Sequence, residues 1–253
     1  MDLRIKGKTA LVTGGTRGIG RAIVDAFVAE GANVAFCARN ADEVAATEAA
    51  FATSDAKVVG TAMNVKNPDA MSAWVDGTAT EFGGIDMVVS NVSALAIPDT
   101  EENWIESIDV DLMGTVHLVK ASVKYLENSD VASIVAISSV SGREVDFASG
   151  PYGTVKTAII GYIAGVAFQL AEKGIRANTV SPGNTYHVGG VWPSIEHNNP
   201  ELFNFAMGLN PTKRMGAPHE TAASVVFLSS PLSSRTTGAN LLIDGALTRG
   251  IQF

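Results

Sequence analysis

The chain has 253 residues, of which 46% are hydrophobic, and it carries a formal net charge of −8. This length allows one large domain or two small ones, and the acidic balance argues against nucleic acid or an anionic membrane as a partner. The single cysteine, Cys37, excludes an internal disulfide, and the four scattered histidines give no spacing typical of a metal site. The longest apolar stretch (158–170) is broken by glycines and too short to span a bilayer, and the N-terminus lacks the apolar core of a signal peptide. We therefore expect a cytoplasmic protein that binds neither a metal nor a membrane.

The first apolar run, KTALVT (8–13), predicts a strand that leads into a glycine-rich turn, GGTRGIG (14–20). Apolar residues at helical spacing follow, and they predict a helix that is closed by Gly31. Free N–H groups and the dipole at the start of such a helix bind a pyrophosphate, although the motif alone fits a plain strand–helix turn equally well. The candidate cofactor contacts in this turn are Gly14, Thr16, Arg17, Gly18, Ile19 and Gly20.

The second predicted strand, NVAFCA (33–38), is followed directly by Arg39. An enzyme that selects NAD usually places an acid at this strand end, where this chain has Ala38. Arg39 and Arg17 are expected to face the same spot and suit a 2′-phosphate, and no carboxylate is expected there to repel it. Two solvated surface arginines are the alternative interpretation. The pair of arginines favours NADP(H) as the cofactor.

The middle of the chain alternates between predicted helices and strands, which indicates an α/β fold with a parallel sheet. Helices are predicted over residues 41–53 and 68–82, and strands over residues 58–65 and 85–90. A further helix begins near Thr100 and carries an apolar stripe that is predicted to face the core: Trp104, Ile105, Ile108, Leu112 and Val116. Asn64, Val65 and Asn91 lie at or just after the ends of these predicted strands.

A strand predicted over residues 132–139 ends at Ser139, and a helix predicted over residues 151–172 begins beside Tyr152. Tyr152 and Lys156 are four residues apart and therefore lie on one face of that helix. An ammonium group close to a phenol lowers the pKa of the phenol toward working pH. Ser139 meets this pair if the strand end and the helix start converge at the rim of the sheet. Because Tyr-x-x-x-Lys alone is a common accident, the interpretation depends on the serine and the glycine turn accompanying it.

Together these motifs resemble those of the short-chain dehydrogenase/reductase family over residues 8–245. The resemblance implies a Rossmann-like, doubly wound parallel sheet in a single α/β domain (1–253), with Ser139, Tyr152 and Lys156 as catalytic residues. It also draws attention to Asp111, which stands where the family has an asparagine that holds a water linked to the catalytic lysine. Asp111 is interpreted as filling that relay, as pairing with Lys156, or as purely structural.

The resemblance places the nicotinamide carboxamide against Pro182, Gly183 and Thr185, at the end of a strand predicted over residues 175–183. It also implies cofactor contacts for Asn64, which stands where the family has an aspartate that contacts the adenine, and for Val65 and Asn91. Tyr152 and Lys156 are implied to contact the cofactor as well, Lys156 through the nicotinamide ribose. His187 stands where a threonine is common in the family. Residues 186–213 are predicted to form a long irregular insertion that serves as a substrate lid. A helix over 218–230 and a strand over 239–245 complete the pattern, and the apolar tail (246–253) suggests subunit contacts in a homo-oligomer, a dimer or a tetramer.

The resemblance implies hydride transfer between NADP(H) and a ketone or secondary alcohol, with Tyr152 as the acid. The lid has no Lys or Arg between Gly189 and Thr212 and is rich in apolar side chains, which favours uncharged, fairly bulky small-molecule substrates. A 3-oxoacyl-(acyl-carrier-protein) reductase is the alternative, but its acidic partner requires basic residues around the site mouth. A non-catalytic dinucleotide sensor and a lyase or dehalogenase on the same scaffold are the other classes left open.

Overall fold

The computed structural model describes residues 2–251. Its strands are β1 (Thr9–Thr13), β2 (Asn33–Ala38), β3 (Val58–Ala62), β4 (Met87–Ser90), β5 (Ser133–Ile137), β6 (Arg176–Pro182) and β7 (Asn240–Ile243). Its α-helices are α1 (Gly18–Ala29), α2 (Ala41–Ala49), α3 (Pro68–Phe82), α4 (Glu101–Ser107), α5 (Gly114–Leu126), α6 (Pro151–Leu170), α7 (Val191–Asn198), α8 (Pro200–Leu209) and α9 (Pro218–Ser229). Within this range the strands form one parallel sheet in the order β3-β2-β1-β4-β5-β6-β7. The predicted doubly wound fold is confirmed.

The central strands are nearly continuous apolar runs because helices cover both faces of the sheet. Every residue of β1, β4 and β5 is buried. One apolar cluster, around Trp74, Leu118 and Ile159, packs α3, α5 and α6 against one face. A second cluster, around Phe27 and Val225, packs α1 and α9 against the other. The chain order reverses between β1 and β4, so a crevice opens there at the carboxyl ends of the strands.

The helix predicted from Thr100 is interrupted by a wider π turn over Ile108–Met113, between α4 and α5. A π turn adds a residue to the helical repeat and so changes which side chains face the core. The predicted core stripe is therefore wrong in part, since Ile105 is 53% exposed and Ile108 is 40% exposed. The same interruption places Asp111 in the protein interior.

The lid segment (186–213) contains helices α7 and α8, so the prediction of an irregular insertion was wrong. Asn199 caps α8 by accepting a hydrogen bond from the Leu202 N–H, and Pro200 occupies the first helical turn. The helices have only 8 and 10 residues, which is too short for periodicity to reveal them. They pack around a separate small cluster of Trp192, Ala206 and Met215.

Helix α6, with the turn that follows it, is long and apolar enough by length and composition to cross a membrane. The expectation of a stretch too short to span a bilayer was wrong here, because its glycines do not interrupt the helix. Val155, Ile159 and Ile163 on this helix belong to the core cluster, and α6 packs against β6. We interpret α6 as a core helix of the domain whose opposite face is exposed.

The predicted apolar tail (246–253) extends beyond the described residues, because Gln252 and Phe253 lie outside them. The backbone N–H groups of Arg249 and Gly250 donate to the Glu144 carboxylate at 3.0 and 3.1 Å. The described part of the tail therefore contacts the loop after β5 of its own chain. Its role in subunit contacts stays a prediction.

Candidate active site

A cleft of about 510 Å³ opens at the carboxyl ends of the strands. The glycine turn, the strand ends, the start of α6 and the first residues of the lid contribute to its lining. Every predicted site residue except Asp111 lines this cleft: Gly14, Thr16, Arg17, Gly18, Ile19, Gly20, Arg39, Asn64, Val65, Asn91, Ser139, Tyr152, Lys156, Pro182, Gly183 and Thr185. The fold therefore brings together residues that are far apart in sequence.

The glycine turn is held by the end of β2. The N–H groups of Gly14 and Gly15 donate to the Cys37 carbonyl at 2.7 and 3.2 Å. Burial raises the pKa of the Cys37 thiol to about 12, so this residue contributes its carbonyl rather than a reactive sulfur. A Cβ on Gly20 would lie 2.0 Å from the Gly14 carbonyl oxygen, which explains why the turn closes only around a glycine there.

The start of α1 is suited to an anion. Among residues 2–251, no side chain makes a capping hydrogen bond at the N-terminus of this helix, whereas Asn40 caps α2 and Asn67 caps α3. The first N–H groups of a helix need an acceptor, and Gly18, at the start of α1, lines the cleft. An uncapped helix start beside a glycine-lined cradle fits the pyrophosphate of a dinucleotide.

The end of the cleft beside β2 holds two cations and an acid. Arg17 and Arg39 are exposed and both line the cleft, as predicted. The expectation of no carboxylate nearby was wrong, because Glu43 lines the same cleft and accepts a hydrogen bond from the Thr16 hydroxyl at 2.9 Å. Asn40 caps α2 through the Glu43 N–H, which brings the first turn of that helix back toward the glycine turn. The sequence feature that could have predicted this carboxylate is Glu43, which lies three residues after the capping Asn40.

Asn91 and Asn64 both line the cleft but make different contacts. The Asn91 side-chain amide donates to the Thr13 carbonyl at 3.0 Å, and the Asn91 N–H donates to the Thr13 hydroxyl at 2.9 Å. Asn91 therefore ties the end of β4 to the end of β1 and, because its amide also donates to the Gly14 carbonyl at 3.3 Å, to the glycine turn. The Asn64 side-chain oxygen accepts the Lys66 N–H at 3.1 Å, which leaves its amide N–H groups available for a ligand.

Ser139 follows β5 and is brought to α6 by contacts of its neighbours. The Ser138 hydroxyl donates to the Lys156 carbonyl at 2.9 Å, and the Thr157 hydroxyl donates to the Gly142 carbonyl at 2.9 Å. The Ser139 hydroxyl itself accepts the Ser141 N–H at 3.2 Å, so its proton is free to point toward a ligand. These hydrogen bonds between the loop after β5 and helix α6 were not predicted from the sequence.

Lys156 and Asp111 form an ion pair that is removed from solvent. Nζ of Lys156 lies 3.1 Å from Oδ1 of Asp111, and each side chain is 2% exposed. Oδ1 has no hydrogen-bond donor among the described residues, so its attraction to the ammonium group is electrostatic. Lys156 also donates to the Ile137 carbonyl at 3.1 Å, and its Nζ lies 5.6 Å from the centre of the Tyr152 ring.

Asp111 is held on its other side by the loop after β4. Its Oδ2 accepts the Ala94 N–H at 2.8 Å, and its carbonyl accepts the Thr115 hydroxyl at 2.6 Å. Of the three interpretations of Asp111, pairing with Lys156 is the one that the structure shows. The relay role stays a prediction.

Comparisons with known proteins agree with this geometry. Residues 14–248 match a family model described as enoyl-(acyl carrier protein) reductase. The chain is 41% identical to isoepoxydon dehydrogenase patN of Aspergillus clavatus, over 98% of each chain. It is 34% identical to the 3-alpha-(or 20-beta)-hydroxysteroid dehydrogenase of Mycobacterium tuberculosis, over 99% of this chain and 93% of that one. An NADPH-bound short chain oxidoreductase of Pseudomonas aeruginosa PAO1, with an atypical catalytic center, superposes with a TM-score of 0.88 at 27% identity, over 96% of this chain and 98% of that one.

Proposed function

The chain belongs to the short-chain dehydrogenase/reductase family of oxidoreductases, and from this we propose that it interconverts ketones and secondary alcohols with NADP(H). The observation that carries the proposal is the buried Lys156 beside Tyr152, in the same cleft as Ser139 and the glycine turn. The fit of that turn to a pyrophosphate supports a dinucleotide as the cofactor. The similar Pseudomonas oxidoreductase, which is bound to NADPH, supports the same choice.

When bound, the cofactor supplies the hydride that reaches the carbonyl carbon. The proton for the carbonyl oxygen comes from the Tyr152 hydroxyl, which lines the cleft. The Ser139 hydroxyl donates a hydrogen bond to the same oxygen as negative charge builds on it. Lys156, fixed by the Ile137 carbonyl and Asp111, places a positive charge beside the phenol and favours the phenolate that remains. In the oxidative direction the same groups act in reverse.

We expect Arg39→Asp to weaken NADPH binding by about tenfold to a hundredfold, because it removes a charge-assisted contact to the 2′-phosphate and adds repulsion. NADH, which lacks that phosphate, should bind as well as before or better. Fluorescence titration of both cofactors measures the two affinities.

Glu43 offers the matched control for that experiment. Glu43→Gln removes the carboxylate that faces the same end of the cleft, and it should shift the preference further toward NADPH. A wild-type enzyme that prefers NADH would show that Arg17 and Arg39 do not select the cofactor.

The substrate side of the cleft supports uncharged ligands. The lid and the loop after β4 contribute Val92, Ser93, Leu95, Val191 and Trp192 to the lining. The charged lining residues lie elsewhere or are paired: Arg17, Arg39 and Glu43 at the end beside β2, Glu106 with Lys66, and Lys156 with Asp111. The Trp192 ring packs edge-on against Phe147 at 6.2 Å between centres. Apolar walls with few polar groups are typical of a pocket for bulky neutral molecules.

We expect higher kcat/KM on bulky neutral ketones than on a carrier-bound 3-oxoacyl group, because the lid has no Lys or Arg between Gly189 and Thr212 with which to dock an acidic carrier. The names of the fungal and mycobacterial relatives, an isoepoxydon and a hydroxysteroid dehydrogenase, support a neutral substrate. An NADPH-oxidation panel graded by size and charge tests this. Equal or better efficiency on the carrier-bound group would favour the acyl-carrier alternative.

The exposed face of α6 supports the proposal of a homo-oligomer, a dimer or a tetramer. Phe168 on this face is 86% exposed, and a Cβ on Gly161 or Gly165 would meet nothing within 4 Å. A flat apolar face of this kind is suited to a second copy of the helix. We also propose a cytoplasmic location, in which the buried Cys37 stays a free thiol.

A further inference from the structure

His187 lines the cleft, but the proposed mechanism gives it no role. Its ring lies between the glycine turn and the start of the lid. A Cβ on Gly18 would be 2.8 Å from both Cε1 and Nε2 of the ring, and a Cβ on Gly190 would be 2.8 Å from Nε2. Gly18 is the first residue of the uncapped helix α1. The imidazole is therefore held where this turn offers its N–H groups to an anion.

The two ring nitrogens have different surroundings. Nδ1 lies 3.0 Å from the Val188 carbonyl oxygen, and because a carbonyl only accepts, Nδ1 carries a proton. Nε2 is the nitrogen nearest to both glycines. In the neutral ring Nε2 is then an acceptor, so it donates to a phosphate only when the ring is protonated. The proposed contact to a phosphate therefore uses the ring with protons on both nitrogens.

We propose that His187 is a positioning residue for the cofactor, and that its Nε2–H binds the pyrophosphate of the dinucleotide above Gly18. The inference rests on the proposed function in that the ligand is a dinucleotide. The inference goes beyond the proposed function because it assigns a contact with the pyrophosphate to His187, a residue of the lid. Arg17 and Arg39 are proposed to contact a different group, the 2′-phosphate. The charged and titratable groups on the segments that flank the ring are Arg17 in the turn, Arg21 and Asp25, which pair at 2.9 Å on α1, and, on the lid, Tyr186, Glu196 and His197. The Tyr186 hydroxyl donates to Glu196 at 2.6 Å.

The test compares ligands that contain or lack the pyrophosphate. NADPH, 2′-phospho-ADP-ribose and 2′-AMP are titrated by calorimetry into wild-type protein and His187→Ala at about pH 6 and about pH 8. We expect the variant to bind the first two ligands about tenfold to a hundredfold more weakly at the lower pH, and to bind 2′-AMP unchanged. The loss of affinity in His187→Ala should be smaller at about pH 8 than at about pH 6, because the proposed contact needs a proton on Nε2.

His197→Ala is the matched control, because His197 is exposed on α7 and does not line the cleft; this variant should bind all three ligands as wild type does. His187→Gln supplies a neutral donor and should bind NADPH more tightly than His187→Ala does at about pH 8.

The inference is overturned if His187→Ala binds NADPH as tightly as wild type or more tightly, which would mean that the ring only shields the turn. An equal loss for 2′-AMP also overturns it. If the wild type binds none of the three ligands, the proposed function fails as well.

Discussion

Replacing Tyr152 with phenylalanine is expected to lower turnover by about two to four orders of magnitude and to leave NADPH affinity unchanged. The substitution removes only the hydroxyl, which is the proton donor, and keeps the ring beside Lys156. Cofactor binding depends on the glycine turn, which this change does not touch. Steady-state rates of NADPH oxidation and a fluorescence titration of NADPH measure the two quantities separately.

Tyr162 provides the control on the same helix. It packs against the core cluster and is absent from the cleft lining, and burial raises the pKa of its phenol. Tyr162→Phe should therefore keep close to the wild-type rate. If the Tyr152→Phe variant retains more than about a tenth of that rate, Tyr152 is not the acid.

The second large effect concerns stability. We expect Asp111→Ala to lower the free energy of unfolding by about 3–5 kcal/mol, because it leaves the Lys156 ammonium buried without its counter-charge. Asp111→Asn, which restores the residue common in the family, keeps an oxygen close to Nζ and should cost less. Urea unfolding of each variant measures the change.

A double-mutant cycle separates the ion pair from the other contacts of Asp111. Combining Asp111→Ala with Lys156→Met removes both charges, so part of the lost stability should return. Asp25→Ala breaks the exposed pair with Arg21 and should change stability little. Strictly additive effects of Asp111→Ala and Lys156→Met would show that the two charges do not stabilise each other.

The sequence predicts the frame of the site well, because strand ends of a parallel sheet meet at one edge. Ser139 and Tyr152 are predicted to meet from the end of one apolar run and the start of another, and both line the cleft. The partner of Lys156 was only one of three interpretations of Asp111. Helical spacing gives the face of a regular helix, and the π turn over Ile108–Met113 departs from that spacing.

Side-chain contacts between segments far apart in sequence could not be predicted either, because they depend on the paths of loops. Glu43 reaches Thr16 because the cap of α2 turns that helix back toward the glycine turn. His187 reaches Gly18 from the lid across the crevice. Such contacts depend on loop paths, which have no periodicity to read. These contacts are expected to affect the affinity for the cofactor and not the fold.

The lid packs on its own cluster of Trp192, Ala206 and Met215, apart from the two clusters that hold the sheet. Substitutions at distant, independent sites have nearly additive effects on stability. Substitutions around Ala206 and Met215 are therefore expected to couple weakly to the residues that position Tyr152 and Lys156, whereas Trp192, which packs on Phe147, is linked to the loop before α6. We therefore expect the substrate range to change through substitutions in the lid, while the catalytic chemistry is inherited unchanged.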